Sequence, residues 1–131
     1  KLINFPVTSR DTPKIETILA AKKLFKEIEY PIVMHCKSGA DRAGLMSALY
    51  LILNQNVPVD KAKNQLSFKY LHLKHAKTGI LDAFFENYLK ENKHKPFLEW
   101  VKEDYDPKKV KDSFKVKRLS EIISSYILKR E

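Results

Sequence analysis

"PIVMHCKSGADRAGLMSALYLIL", residues 31–53, carries the only cysteine of the chain, Cys36. The run that enters it, residues 31–35, is apolar and β-branched and reads as a buried strand. Residues 36–42 are a polar loop. Residues 43–54 read as a helix that is apolar on most sides, hence central. Between a strand and a helix, the backbone N–H groups of such a loop point into a concavity beside the positive end of the helix dipole. That arrangement binds anions. It also lowers the pKa of a thiol placed there, since a thiolate is itself an anion. Gly39 supplies a backbone angle that other residues avoid. Arg42 adds a planar fork of donors matched to two phosphate oxygens. Thiolate, anion nest and arginine together suit attack on phosphorus. The alternative for Cys36 is the common fate of a lone cysteine, a small inert core residue.

Outward from this stretch, residues 2–7 ("LINFPV") read as a short strand, with Pro6 near an edge or a strand end. Thr12 is expected to cap a helix with Pro13 in its first position. Ile15, Ile18, Leu19, Phe25 and Ile28 then recur at helical spacing, and the helix should stop near Glu29, before Tyr30-Pro31. After a break at Asn56-Val57-Pro58, residues 59–70 read as a helix with Val59, Ala62, Leu66 and Tyr70 inward. Thr78 is placed as the cap of the next helix, whose apolar stripe runs Ile80/Leu81, Phe84/Phe85, Tyr88/Leu89. A short helix follows around Phe97 and Trp100, both read as core anchors. Residues 108–118 are strongly basic. A last helix has Leu119, Ile122, Ile123, Tyr126 and Ile127 on one face.

The expected fold class is therefore α/β, with a central, mostly parallel sheet flanked by helices and a helical C-terminal half. Two strands are too few for a stable sheet. With the abrupt start, this predicts that N-terminal strands are missing from a single domain spanning residues 1–131, with 107–131 as a helical extension. The 131 residues suffice for one core. With 44% hydrophobic and 31% charged residues, the composition suits a soluble globular protein. No apolar run approaches the roughly 20 residues of a membrane span, and the start lacks the regions of a signal peptide. One cysteine cannot form an internal disulfide, so a reduced, cytoplasmic setting is expected. The net charge of +9 favours anionic partners.

The loop resembles a known family. "HCKSGADR", residues 35–42, fits the H-C-x5-R signature of the cysteine-based protein tyrosine and dual-specificity phosphatases. The in-loop Asp41, directly before Arg42, resembles a bacterial and fungal subgroup of tyrosine and phosphoinositide phosphatases. Detailed resemblance covers about residues 30–54. It implies a phosphatase-like fold and hydrolysis of a phosphate monoester through a cysteinyl-phosphate, without metal or cofactor. Carried over, Cys36 is the nucleophile, and Arg42 binds the phosphoryl oxygens. The backbone of Lys37, Ser38, Gly39, Ala40, Asp41 and Arg42 completes the cradle, and His35 supports the loop. The general acid is Asp41 or Asp11, the latter lying 25 residues before Cys36 and just ahead of a helix. Asp41 could instead brace the loop, and Asp11 could be a simple turn residue.

One departure is Ala43, where the family usually has a serine or threonine that assists breakdown of the phosphoenzyme. It opens a second reading, a phosphate-recognition module with little turnover. A third is a rhodanese-type sulfurtransferase. Lys37 resembles a residue of phosphoinositide-cleaving relatives, while their second loop lysine is Ala40 here. The partner is thus a phosphorylated protein, phosphoinositide or small molecule, without stable nucleic-acid binding. Residues 67–75 ("SFKYLHLKH") are a candidate substrate-contact loop. His72 and His75 are weak metal candidates, read as solvated or helix-end histidines, and Asp82 and Glu86 are read as solvated.

Overall fold

The computed structural model describes residues 1–130. Its elements are α1 (Ile15–Glu27), α2 (Asp41–Gln55), α3 (Val59–Ala62), α4 (Ile80–Glu91), α5 (Phe97–Glu103) and α6 (Pro107–Arg130). Single 3₁₀ turns at Lys63–Gln65, Phe68–Tyr70 and Lys77–Gly79 lie between α3 and α4. Among the described residues there is no strand and no sheet, which overturns the α/β expectation. Both segments read as strands do alternate in burial: Phe5 and Val7 turn inward, as do Ile32 and Met34, while their neighbours are exposed. That period of two is what the sequence pattern detected. A strand also needs a hydrogen-bonded neighbour, and no backbone ladder joins these segments to each other or to anything else described.

α2 is central, as its all-round apolar sequence implies. It buries Gly44, Leu45, Met46, Ala48, Leu49 and Ile52 and packs against α1 and α3. It ends at Asn56, whose left-handed φ of 55° turns the chain toward Pro58. α4 buries Ile80, Leu81, Phe84 and Phe85, and its aromatic rings join Phe97, Trp100 and Tyr105 in one cluster. Full burial of each such ring is worth about 1.5–3 kcal/mol. The hydroxyl of Tyr105 donates to the Pro13 carbonyl at 2.7 Å and ties this cluster to the entry of α1.

Several local expectations fail where side chains found other partners. Thr12 does not cap α1. The helix starts at Ile15 without a side-chain cap, and the Thr12 backbone N–H donates to Asp11 Oδ1 at 2.8 Å. Thr78 does not cap α4 either, because its hydroxyl donates to the Leu73 carbonyl at 3.2 Å. The helix expected over residues 59–70 is one short turn and two 3₁₀ turns, which buries Val59, Ala62 and Leu66 but leaves Tyr70 43% exposed. The basic run 108–118 and the last apolar stripe form one helix, α6. Val110 is buried in it, whereas every residue from Leu119 to Lys129 is exposed. No helix is long and apolar enough to cross a membrane among the described residues.

Candidate active site

The loop 36–40 runs directly into α2. Gly39 has φ of +73°, the left-handed region that glycine occupies without a Cβ penalty. That turn reverses the backbone so that Ala40 is buried beneath the loop, while Lys37, Ser38 and Gly39 stay at the surface. α2 starts at Asp41 with no side-chain cap, so its leading N–H groups are left to whatever occupies the loop.

Cys36 is half-buried. Burial by itself would raise its thiol pKa. The backbone N–H groups of Ala43, Gly39 and Ser38, together with the Arg42 charge, outweigh that, and the net shift is downward. The sulfur therefore sits where the loop and the first turn of α2 converge their donors, the environment of a reactive thiol rather than of an inert core cysteine. Arg42, one residue into α2, is partly buried, and His35 lies exposed on the segment entering the loop.

The two candidate acids differ sharply. Asp11 accepts from Thr12 and lies 3.4 Å from Lys111 Nζ of α6. Burial alone would raise its pKa, but the Thr12 N–H and the Lys111 ammonium hold the carboxyl below its ordinary value. Its partners are a neighbour and a C-terminal helix, not the loop. Asp41 Oδ1 lies 2.7 Å from His72 Nδ1, and His72 Nε2 lies 2.5 Å from Asp82 Oδ2. His72 is only 2% exposed. The expectation that His72 and Asp82 are solvated is thereby overturned: both are enclosed, bonded to each other, and linked to the loop. Burial alone lowers the His72 pKa, yet the two carboxylates reverse that and raise it. Burial dominates at Asp82, whose pKa is raised despite His72.

Sequence reasoning missed this bridge because its members are far apart in the chain. The available signal was Asp82 itself, an acid inside the otherwise apolar run "ILDAFF". His75 is exposed, and Glu86 pairs with Lys74 at 2.8 Å. Among the described residues, no group of three or more histidine, cysteine or acidic side chains is arranged to hold a metal ion.

The model of the tyrosine phosphatase family matches residues 6–100, well over half of the chain. The chain belongs to the tyrosine phosphatase family. The match spans Asp11, the loop around Cys36, His72 and Asp82, and stops before α6. No curated protein and no solved structure matches it. As in a phosphatase generally, the substrate is a phosphorylated molecule.

Proposed function

We propose that this phosphatase hydrolyses a phosphate monoester through a cysteinyl-phosphate formed on Cys36. The observation that carries this reading is the convergence of the Ser38, Gly39 and Ala43 N–H groups and the Arg42 charge on the Cys36 sulfur. In the first step the thiolate attacks phosphorus. The phosphoryl oxygens rest on the backbone of residues 37–42 and on the Arg42 guanidinium, where developing charge meets fixed donors. Asp41 donates the leaving-group proton from the oxygen that does not bond His72. Asp11 has a structural role, fixing the start of α1 and meeting α6. In the second step water cleaves the phosphocysteine. The reading extends to a cytoplasmic enzyme of the dual-specificity-like type, active without metal or cofactor on a phosphoprotein, phosphoinositide or small phosphorylated molecule. It is tested by hydrolysis of an aryl phosphate by the wild type and by Cys36→Ser, with orthovanadate binding as the control.

Ala43 favours a second reading, in which the loop binds phosphate and turns over slowly. The side chain at this position has no hydroxyl to assist departure of the thiolate. A phosphoenzyme that accumulates after one rapid turnover would support it, whereas steady rapid turnover would exclude it.

A further inference from the structure

We propose that His72, anchored by Asp82, is the positioning residue for Asp41 and stabilises the carboxylate that Asp41 becomes when it gives up its proton. The proposal rests on Asp41 as the proton donor of the reaction above.

Two hydrogen bonds meet on one buried imidazole, and the partner of each is a carboxyl group. An ionised carboxylate only accepts, so each bond needs its own proton. A neutral imidazole carries one N–H, and its other nitrogen would face a carboxylate lone pair. The set therefore holds a minimum of two shared protons, as an imidazolium between two carboxylates or as a neutral ring with one protonated acid. The surroundings favour the imidazolium. Both ring nitrogens have a partner, which is what a buried charge requires. The raised His72 pKa agrees with this. The remaining charges near Asp82 are Lys74 and Glu86, which pair with each other and largely cancel.

With the imidazolium in place, Asp41 is fixed by Oδ1, and the reactive form carries one proton more than that minimum, on Oδ2, the oxygen left free to transfer it. As the sulfur–phosphorus bond forms, the bond from phosphorus to the leaving oxygen breaks and its electron pair stays on that oxygen. Asp41 Oδ2 passes its proton there and becomes a carboxylate whose Oδ1 already accepts from the positive ring. In the second step Asp41 takes a proton from the attacking water. The hydroxyl joins phosphorus and the sulfur regains its electron pair. His72 neither gains nor loses a proton over the cycle. Asp82 holds the ring from α4, so the phosphate loop is positioned by an element outside the loop and its helix.

The test compares kcat on a nitrophenyl phosphate and on an alkyl phosphate for wild type, Asp41→Asn, His72→Asn, His72→Gln and Asp82→Asn. Orthovanadate affinity and circular dichroism serve as controls. Asp41→Asn should lose about a hundredfold or more on the alkyl substrate and far less on the nitrophenyl one, as loss of a general acid does. His72→Gln should lose about tenfold on the alkyl substrate alone, with vanadate affinity kept. His72→Asn, which keeps a donor toward Asp41 without the charge, should fall between His72→Gln and wild type. Equal losses on both substrates, or none, in the His72 variants while Asp41→Asn behaves as stated would overturn the role of His72 and leave Asp41 as the acid. An Asp41→Asn protein without leaving-group dependence would overturn the acid assignment and this proposal with it. Should the His72 variants not fold, Asp82→Asn decides: a selective loss on the alkyl substrate is expected, and equal rates relative to wild type on both substrates would overturn the proposal.

Discussion

Asp41 Oδ1 and His72 Nδ1 lie 2.7 Å apart, across 31 residues of sequence. This contact joins the first residue of α2, next to Arg42, to the segment between α3 and α4. Asp82 closes the bridge from the other side at 2.5 Å. The bridge thus ties the start of α2 to the segment between α3 and α4 and to α4 itself.

Stability should follow those protons. The folded-state pKa of His72 is raised from 6.5. Its contribution is then fully present below that ordinary value and is lost as pH rises through the folded value. Asp82 is raised as well, so it acts with the same sign, retaining its proton more tightly in the fold. Cys36 acts with the opposite sign but is common to both proteins compared. The thermal midpoint of wild type minus that of His72→Gln should be largest below the ordinary histidine value and shrink as the pH is raised beyond it. A difference independent of pH in this range would reject a charged bridge.

Thiol chemistry offers a direct reading of the cradle. Cys36 is shifted below the ordinary 9.0, against the effect of burial, by the Ala43, Gly39 and Ser38 N–H groups and by Arg42. The pH dependence of alkylation by iodoacetamide should therefore have its midpoint below that of a free thiol. Arg42→Ala should move the midpoint upward. An unperturbed midpoint in the wild type would contradict the converging donors.

Gly79 is needed for space. A Cβ there would sit 1.8 Å from the backbone oxygen of Lys74, which no side-chain movement relieves. The contact holds the turn that carries His72 against the start of α4. Gly79→Ala should cost about 1–3 kcal/mol in denaturant unfolding. It should also lower turnover more than Gly44→Ala, whose Cβ would meet the Gln65 carbonyl oxygen and Leu66 at 3.1 Å. Equal stability of Gly79→Ala and wild type would show that the turn rearranges freely.

Ala43 contributes its backbone N–H to the sulfur but no side-chain donor. Ala43→Ser should speed breakdown of the phosphoenzyme about tenfold, the worth of one hydrogen bond to a charged leaving group. Rapid-quench kinetics would show a smaller burst and a faster steady rate. An unchanged steady rate with an unchanged burst would place the slow step elsewhere.

The loop was legible because its chemistry is local. Cys36, Gly39 and Arg42 lie within seven residues, and an apolar helix follows at once. The central place of α2 and the stripe of α4 were equally readable, since both depend on helical periodicity. Two features were not. The alternating segments around Phe5 and Ile32 have the pattern of strands, but pairing is a relation between segments that periodicity within one of them does not determine. His72 sits in an irregular stretch where periodicity gives no face, so its burial between Asp41 and Asp82 left no trace beyond the stray acid in α4. Thr12 and Thr78 show the same limit at short range: a good cap residue found a different local acceptor, in Asp11 and in Leu73.

The central claim is that Cys36 carries the phosphoryl group. Intact-protein mass after an acid quench of the reaction with an aryl phosphate measures this directly. Wild type should gain the mass of one phosphoryl group during turnover. Cys36→Ser should show neither that adduct nor hydrolysis while still binding orthovanadate. Undiminished hydrolysis by Cys36→Ser, or turnover of wild type with the phosphoryl group on another residue, would contradict it.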